Sequence, residues 1–338
     1  MPQPSPLHER ISALCTSLRW KEWAGYSAVR SYDTYPEREY YALRYTAGLL
    51  DISPLFKYEV RGRGAAAFLS WVATRNLHEL KQNRFAYTAF CDDDGKVLDD
   101  GTVARLGENQ FRVTSAGPIL HHLQWHSRGF PVELEDASER IAALALQGPT
   151  SRQILNQVSS TNLDSLRYFH GVSAELAGAP VVISRTGYTG DLGYEIWIPR
   201  DQAVPVWDAL MAAGAPHGLL PVGLDALDVA RIEAGYSLQD VDYFSSLNCL
   251  IESRKSSPYE VGLGWVVHLK RERFLGQEAL RIERARGARW SLVGLELSWR
   301  DLEALYDQYR LPPNLPTLAS RDAVPVFHNG RQVGRATS

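Results

Sequence analysis

Apolar and polar residues alternate along two runs of the chain, Val181 to Arg185 and Tyr194 to Ile198, with a glycine-rich stretch between them. Val181, Ile183 and Arg185 alternate with Val182 and Ser184, and Gly190 and Gly193 bracket Asp191-Leu192. The pattern predicts two strands joined by a turn. The returning strand then puts Tyr194, Ile196 and Ile198 on one face and Glu195 and Trp197 on the other. Elsewhere Tyr40, Leu43 and Ala47 predict a helix over 36–48, and Lys57 to Val60 reads as a strand. Ala67, Phe68, Trp71 and Val72 recur at helical spacing after the turn Arg61 to Gly64. Residues 86–115 read as a meander of strands with turns at Asp94-Gly95 and Gly107 to Asn109. A helix opens at Pro118 and runs to about Arg128, and Val132 and Leu134 are strand-like. Ile141 to Gln147 is an unbroken apolar run of buried-strand type, closed by Gly148-Pro149 and followed by a helix. Two more helices are predicted at 202–212 and 223–233, and a last hairpin turns at Asn329-Gly330. Hairpins outnumber strand–helix–strand units, so the expected class is α+β rather than a doubly wound sheet.

A chain of 338 residues has room for two or three domains. Its hydrophobic content of 45% and charged content of 22% are those of an ordinary globular protein. The net charge of −3 gives no reason to expect nucleic acid or an anionic membrane as partner. Lys270 to Arg273 and the arginines at 281, 284, 286 and 289 read as a solvated helix and its flanks. Cys15, Cys91 and Cys249 are far apart and in no metal-like spacing, so neither a disulfide framework nor a zinc site is expected. The first residues lack a basic segment followed by an apolar one, and no apolar run approaches the length of a membrane span. The expectation is a cytoplasmic protein.

Carboxylates are densest from Asp92 to Asp100, without the alternating oxygen ligands of a calcium loop. Asp92 to Asp94 belong to the turn. Asp99 and Asp100 lie within a strand and must point to opposite faces. Strict alternation groups Asp100 with Leu98, Thr102 and Ala104. A half-buried carboxylate on a sheet face is costly unless partnered, which makes Asp100 a candidate site residue, the alternative being an aspartate that ties down a loop. Glu195 and Trp197, beside a glycine turn, suit a flat heterocycle, the alternative being a hairpin whose Glu195 faces water. Gly62, Gly64 and Ala67 fit a dinucleotide fingerprint, but Lys57 to Val60 alternates instead of being uniformly apolar as in a buried parallel strand. His122 and His126 lie four apart on a helix without the glutamate of a zinc protease or a third ligand.

Five segments in order extend this reading: Leu50-Asp-Ile-Ser53, Gly95 to Asp100, Ala143 to Thr150, Arg185 to Ile198, and Arg231-Ile-Glu-Ala-Gly235. From about Tyr40 onward the chain resembles the tetrahydrofolate-dependent aminomethyltransferase family, typified by the glycine cleavage T-protein. The resemblance implies a three-domain cloverleaf with a central folate pocket. A discontinuous first domain would span 1–53 and 141–270, a second 54–140, and a C-terminal β-barrel-like domain, apparently incomplete, 285–338. It implies tetrahydrofolate as cofactor, Asp100 as the catalytic carboxylate, Glu195 as acceptor for the pterin's adjacent amine and ring N–H, and Tyr87 and Tyr188 as pocket walls. Thr102 and Trp197, on the faces of Asp100 and Glu195, join the cofactor-binding candidates. Two positions depart from the family pattern: Pro54 replaces a histidine, and Leu227 replaces an arginine. These departures, with Asp51 to Tyr58, look closer to the demethylase branch. The expected function is therefore transfer of a methyl group from a small methylated donor to give 5-methyltetrahydrofolate. The alternatives are aminomethyl transfer from a lipoyl carrier protein, giving 5,10-methylenetetrahydrofolate, and folate binding without catalysis.

Overall fold

Two sheets organise the chain in a computed structural model that describes residues 1–338. The six-stranded sheet runs in the order Gly171–Leu176, Ala179–Ser184, Gly193–Pro199, Ile141–Gln147, Ala47–Asp51, Leu219–Pro221. Only its last pair is parallel. The five-stranded sheet runs Arg84–Cys91, Val97–Gly107, Gln110–Ser115, Phe56–Arg61, Glu133–Asp136 and is antiparallel throughout. The class is α+β, as the hairpin-rich pattern predicts.

Ile141–Gln147 is buried at every position because both sheet faces are covered. Ala142, Leu144 and Leu146 pack with Ile154 and Leu155 of helix Ser151–Val158 and with Val206, Trp207 and Leu210 of helix Ala203–Gly214. Ala143 and Ala145 point the other way, toward Leu43 of helix Glu37–Tyr45 and Ala226 and Ala230 of helix Leu224–Glu233. An unbroken apolar run is what a strand buried on two faces requires. The alternation of the neighbouring strand holds: Tyr194, Ile196 and Ile198 lie in the first core and Trp197 in the second.

Two local expectations change. The helix predicted over 36–48 stops at Tyr45, and Ala47 already opens a strand. Thr46 makes the break, its hydroxyl 3.3 Å from the Ala42 carbonyl and 2.9 Å from that of Gly218, where the parallel partner strand begins. The second change concerns Asp100. Strand pairing shifts between Phe90 and Cys91, which oppose Asp99 and Val97, so Leu98 is an extra residue. Leu98 therefore joins Phe90 and Phe68 in the core under helix Ala65–Val72. Asp100 stands opposite Ala89, whose core contains Tyr243, Leu263 and Phe274. Asp100 keeps Thr102 and Ala104 as same-face neighbours but not Leu98.

The Phe56–Arg61 strand is antiparallel to both of its neighbours, so the glycines after it do not open a dinucleotide-binding parallel unit. After helix Gln277–Arg286 come helix Trp299–Asp307 and the hairpin Val324–His328/Arg331–Ala336. Arg321 reaches Asp228 at 2.7 Å, and Ser338 donates to Asp242 at 2.9 Å, which ties this region to helix Leu224–Glu233 and the loop that follows. No helix is long and apolar enough to cross a membrane.

Candidate functional site

The loop between strands Ala179–Ser184 and Gly193–Pro199 is shaped by Gln147 at the end of the central strand. Its amide donates to the carbonyls of Thr186 and Tyr194, and its oxygen accepts from the Thr189 hydroxyl. A Cβ at Gly187 or Gly193 would meet that same oxygen at 1.9 or 2.0 Å, so the glycines are needed for close approach of a buried side chain. From outside, Arg44 donates to the Thr189 carbonyl at 2.7 Å and to Asp191 at 2.6 Å, pinning the loop to helix Glu37–Tyr45.

Glu195 follows this loop, half-buried, and accepts from the Thr186 hydroxyl at 2.7 Å through one oxygen. Its other oxygen has no partner in the protein. Burial raises its carboxyl above the usual range, opposed by the Thr186 bond. A half-buried acceptor with a free oxygen fits a ligand that offers N–H groups, as a pterin does. Trp197, two residues along on the same face, is buried and lines a cleft of about 910 Å³ with Glu59, Arg112 and Arg140. Its indole N–H is without a partner.

Asp100 is the centre of a second cluster. Tyr87 donates to one of its carboxylate oxygens and Tyr243 to the other. Burial raises the Asp100 carboxyl, and the bonds from Tyr243 and Tyr87 pull it back down. Burial lifts both phenols well above their usual range, with the Asp100 charge adding to it, so they remain protonated donors. Thr102 stands directly across from Tyr87 on the neighbouring strand, half-buried. The ring of Trp265 lies against that of Tyr87, centroids 5.8 Å apart at 16°. Tyr188 donates to the Ser237 carbonyl and stacks on Tyr236 at 5.5 Å; burial raises its hydroxyl, with the charge of Asp100 next in importance. Tyr168 is pushed up to about 12 by burial, then by Tyr236, with Glu195 a smaller influence. Aromatic side chains thus connect the surroundings of Glu195 with those of Asp100.

Asp99 is a different residue in kind. It is fully buried and accepts backbone N–H bonds from Gly117 at 2.7 Å and from Asp100 at 2.8 Å. Burial and the adjacent Asp100 raise its carboxyl well above the usual range.

Sequence patterning points to Asp100, Thr102, Glu195 and Trp197, and the family resemblance adds Tyr87 and Tyr188. The fold brings Asp100, Thr102 and Tyr87 together directly, whereas Trp197 lines the cleft with Arg112 and Arg140. Patterning does not point to Tyr243, which lies in a stretch without periodicity, nor to Gln147, Thr186 or Trp265. Only the glycine pair flanking Leu263 hints that the backbone around Trp265 is special.

Comparison with known proteins places this geometry. The family model described as the GCVT N-terminal domain matches residues 8–271. The chain belongs to the GCVT family. It is 37% identical over 337 residues to an aminomethyltransferase of Halothermothrix orenii, covering 98% of this chain and 85% of that one. An aminomethyltransferase of Bacillus subtilis is 34% identical over 308 residues, with 89% and 77% covered. The crystal structure of glycine cleavage system aminomethyltransferase T from Bartonella henselae superposes with a TM-score of 0.75 at 25% identity, over 85% of this chain and 76% of that one. The GCVT fold is therefore the one expected from the motifs, and the family is one of tetrahydrofolate-dependent transferases. These relatives carry the name aminomethyltransferase, and none points to the demethylase branch.

Proposed function

We propose that this protein transfers a one-carbon unit to tetrahydrofolate, with an aminomethyl group from a lipoyl-bearing carrier protein as the first reading of the donor. The observations that carry the proposal are the Asp100 carboxylate held by two phenols and the half-satisfied Glu195, with the stacked Tyr188 and Tyr236 in the surroundings they share. The names of the GCVT relatives favour the aminomethyl group.

In this reading Glu195 accepts the paired N–H groups of the pterin and fixes its orientation. Tetrahydrofolate supplies the nucleophilic nitrogen. That nitrogen takes the carbon from the lipoyl sulfur, the C–S bond breaks to leave the thiol, and the amino group departs as ammonia when the second folate nitrogen closes the ring. Asp100, its carboxylate held in one orientation by the two tyrosines, takes a proton from the folate nitrogen and passes it to a leaving group. Positioning and a matched electrostatic environment do most of the work, with no covalent intermediate on the protein.

Methyl transfer from a small methylated donor is the second reading, and two residues favour it. Leu227 is half-buried against the core of Ala226 and Ala230, where the family pattern has an arginine, so this position supplies no cation. Pro54 is buried where the pattern has a histidine. Incubation with tetrahydrofolate and either an aminomethyl-lipoyl carrier or a panel of methylated donors separates the readings: 5,10-methylenetetrahydrofolate identifies the first and 5-methyltetrahydrofolate the second. Neither product with any donor, alongside measurable folate binding, identifies a binding protein.

A further inference from the structure

Arg75 is a half-buried cation without an acid. It sits where the chain leaves helix Ala65–Val72 to run beside the Arg84–Cys91 strand, Thr74 N–H bonding to the Ala89 carbonyl at 3.0 Å. One guanidinium nitrogen donates to the Tyr87 carbonyl at 3.3 Å, its one hydrogen bond within the protein. No carboxylate forms an ion pair with it, and burial alone lowers its tendency to hold charge, with no acidic neighbour offsetting that cost. A cation in this position is normally paired. Of the cations beside it, Arg271 donates through its two terminal nitrogens to the carbonyls of Ser70 and Ala73. Burial, then Arg75 and Arg271, lower His268, and Glu79 is the one acid that opposes them.

The surroundings give Arg75 a direction. Its guanidinium carbon lies 6.0 Å from the ring centre of Trp265. Trp265 is 60% exposed, although its ring stacks on Tyr87, the donor to Asp100. An exposed indole beside an unpaired guanidinium, one aromatic ring away from Asp100, offers an apolar surface and a charge-assisted donor pair to one ligand. We infer that Arg75 and Trp265 form a carboxylate-binding subsite at the edge of the Asp100 cluster, for a ligand whose carboxylate is joined to a planar or apolar body. The inference rests on the proposed one-carbon transfer and adds a binding determinant to it. The carboxylate can come from the glutamate tail of the folate or from the one-carbon donor.

Titration calorimetry on the full chain tests this with probes that differ in the carboxylate. Tetrahydrofolate and p-aminobenzoyl-glutamate carry the tail, and 6-methyltetrahydropterin lacks it. N,N-dimethylglycine carries a donor carboxylate that its methyl ester lacks. Arg75→Met is expected to weaken at least one carboxylate-bearing probe by about tenfold or more and to leave its carboxylate-free counterpart within twofold, with Arg75→Lys recovering part of the loss. Loss confined to the tail-bearing probes assigns the folate tail, and loss confined to dimethylglycine assigns the donor. Carboxylate probes that bind the variant within twofold of wild type, or that fail to bind wild type better than their carboxylate-free counterparts, overturn the subsite. If 6-methyltetrahydropterin does not bind wild type while p-aminobenzoyl-glutamate binds through Arg75, the pterin reading fails and the carboxylate subsite stands. Unchanged thermal unfolding of the variant confirms that the fold is intact.

Discussion

Leu98 and Asp100 lie two residues apart on one strand and face different cores. The extra residue opposite the Phe90–Cys91 step sends Leu98 under helix Ala65–Val72 and leaves Asp100 facing Tyr243. Strict alternation assigns them the same face, and only the bulge separates them. The same geometry makes the two adjacent aspartates unequal: Asp99 is bound to backbone N–H groups and Asp100 to phenols.

The pair should respond differently to loss of charge. Asp100→Asn is expected to bind tetrahydrofolate within about tenfold of wild type and to slow transfer by about 10²-fold, because an amide cannot take up a proton. Asp99→Asn is expected to leave the chemical step alone and to destabilise the fold by about 1–3 kcal/mol, since its NH₂ must face a backbone N–H where a carboxylate oxygen accepted one. Single-turnover rates and denaturant unfolding of both variants check this. A slow, fully stable Asp99→Asn would reverse the roles.

Tyr243 should tune Asp100 as well as hold it. Its hydrogen bond lowers a carboxyl that burial raises, so Tyr243→Phe moves that carboxyl further up. In the proposed mechanism transfer needs Asp100 ionised, and the rate is therefore expected to fall as pH drops through its titration. The acid limb of the kcat/KM profile is expected to shift to higher pH in Tyr243→Phe. In Tyr188→Phe, whose lost hydroxyl bonded the Ser237 carbonyl, the limb should stay in place. Coincident acid limbs in wild type and Tyr243→Phe would exclude Asp100 as the titrating group.

Much of this arrangement is legible in the chain because strong periodicity accompanies double burial. Ile141–Gln147 reads as a buried strand and Tyr194 to Ile198 as a two-faced one, since each side chain meets a covered face. What escapes is set by tertiary contact. Nothing local tells Val97-Leu98-Asp99 to bulge, as that depends on which core each side chain can reach. Tyr243 lies in a loop without regular structure, and its value arises only when that loop folds back over Asp100, 143 residues away in the chain. Trp197 shows the converse. It lies on the expected strand face, yet lines the cleft with Arg112 and Arg140.

His122 should control stability in acid. It is buried on helix Leu120–His126, its Nε2 has no partner, and burial, then His126 and His121, lower it to about 4. An unfolded chain takes up this proton near pH 6.5 and the folded one does not until about 4. Stability is therefore full above the unfolded value and is lost as pH falls through this window, by on the order of 3 kcal/mol. His122→Leu removes the titration and is expected to flatten the stability profile between pH 6.5 and 4. Equal slopes for variant and wild type in urea unfolding across that range would show that other groups dominate.

Glu195 offers the sharpest test of the pterin assignment, because its structural duty is small. Its one protein partner is the Thr186 hydroxyl, which an amide oxygen can equally accept from, so Glu195→Gln should leave the fold close to wild-type stability. Toward a ligand the change is large. A carboxylate offers acceptors to two adjacent N–H groups, whereas the amide sets an NH₂ against one of them. Tetrahydrofolate binding is expected to weaken by about 2–3 kcal/mol. The pH dependence separates this from a packing effect. Burial raises the Glu195 carboxyl, so wild-type affinity should fall as pH drops through that raised value, when protonation removes an acceptor. Glu195→Gln has nothing to titrate and should bind weakly with no such fall. Calorimetric titration of both proteins from pH 5 to 8 measures both effects. Equal affinities at neutral pH, or parallel pH dependences, would remove Glu195 from the pterin site.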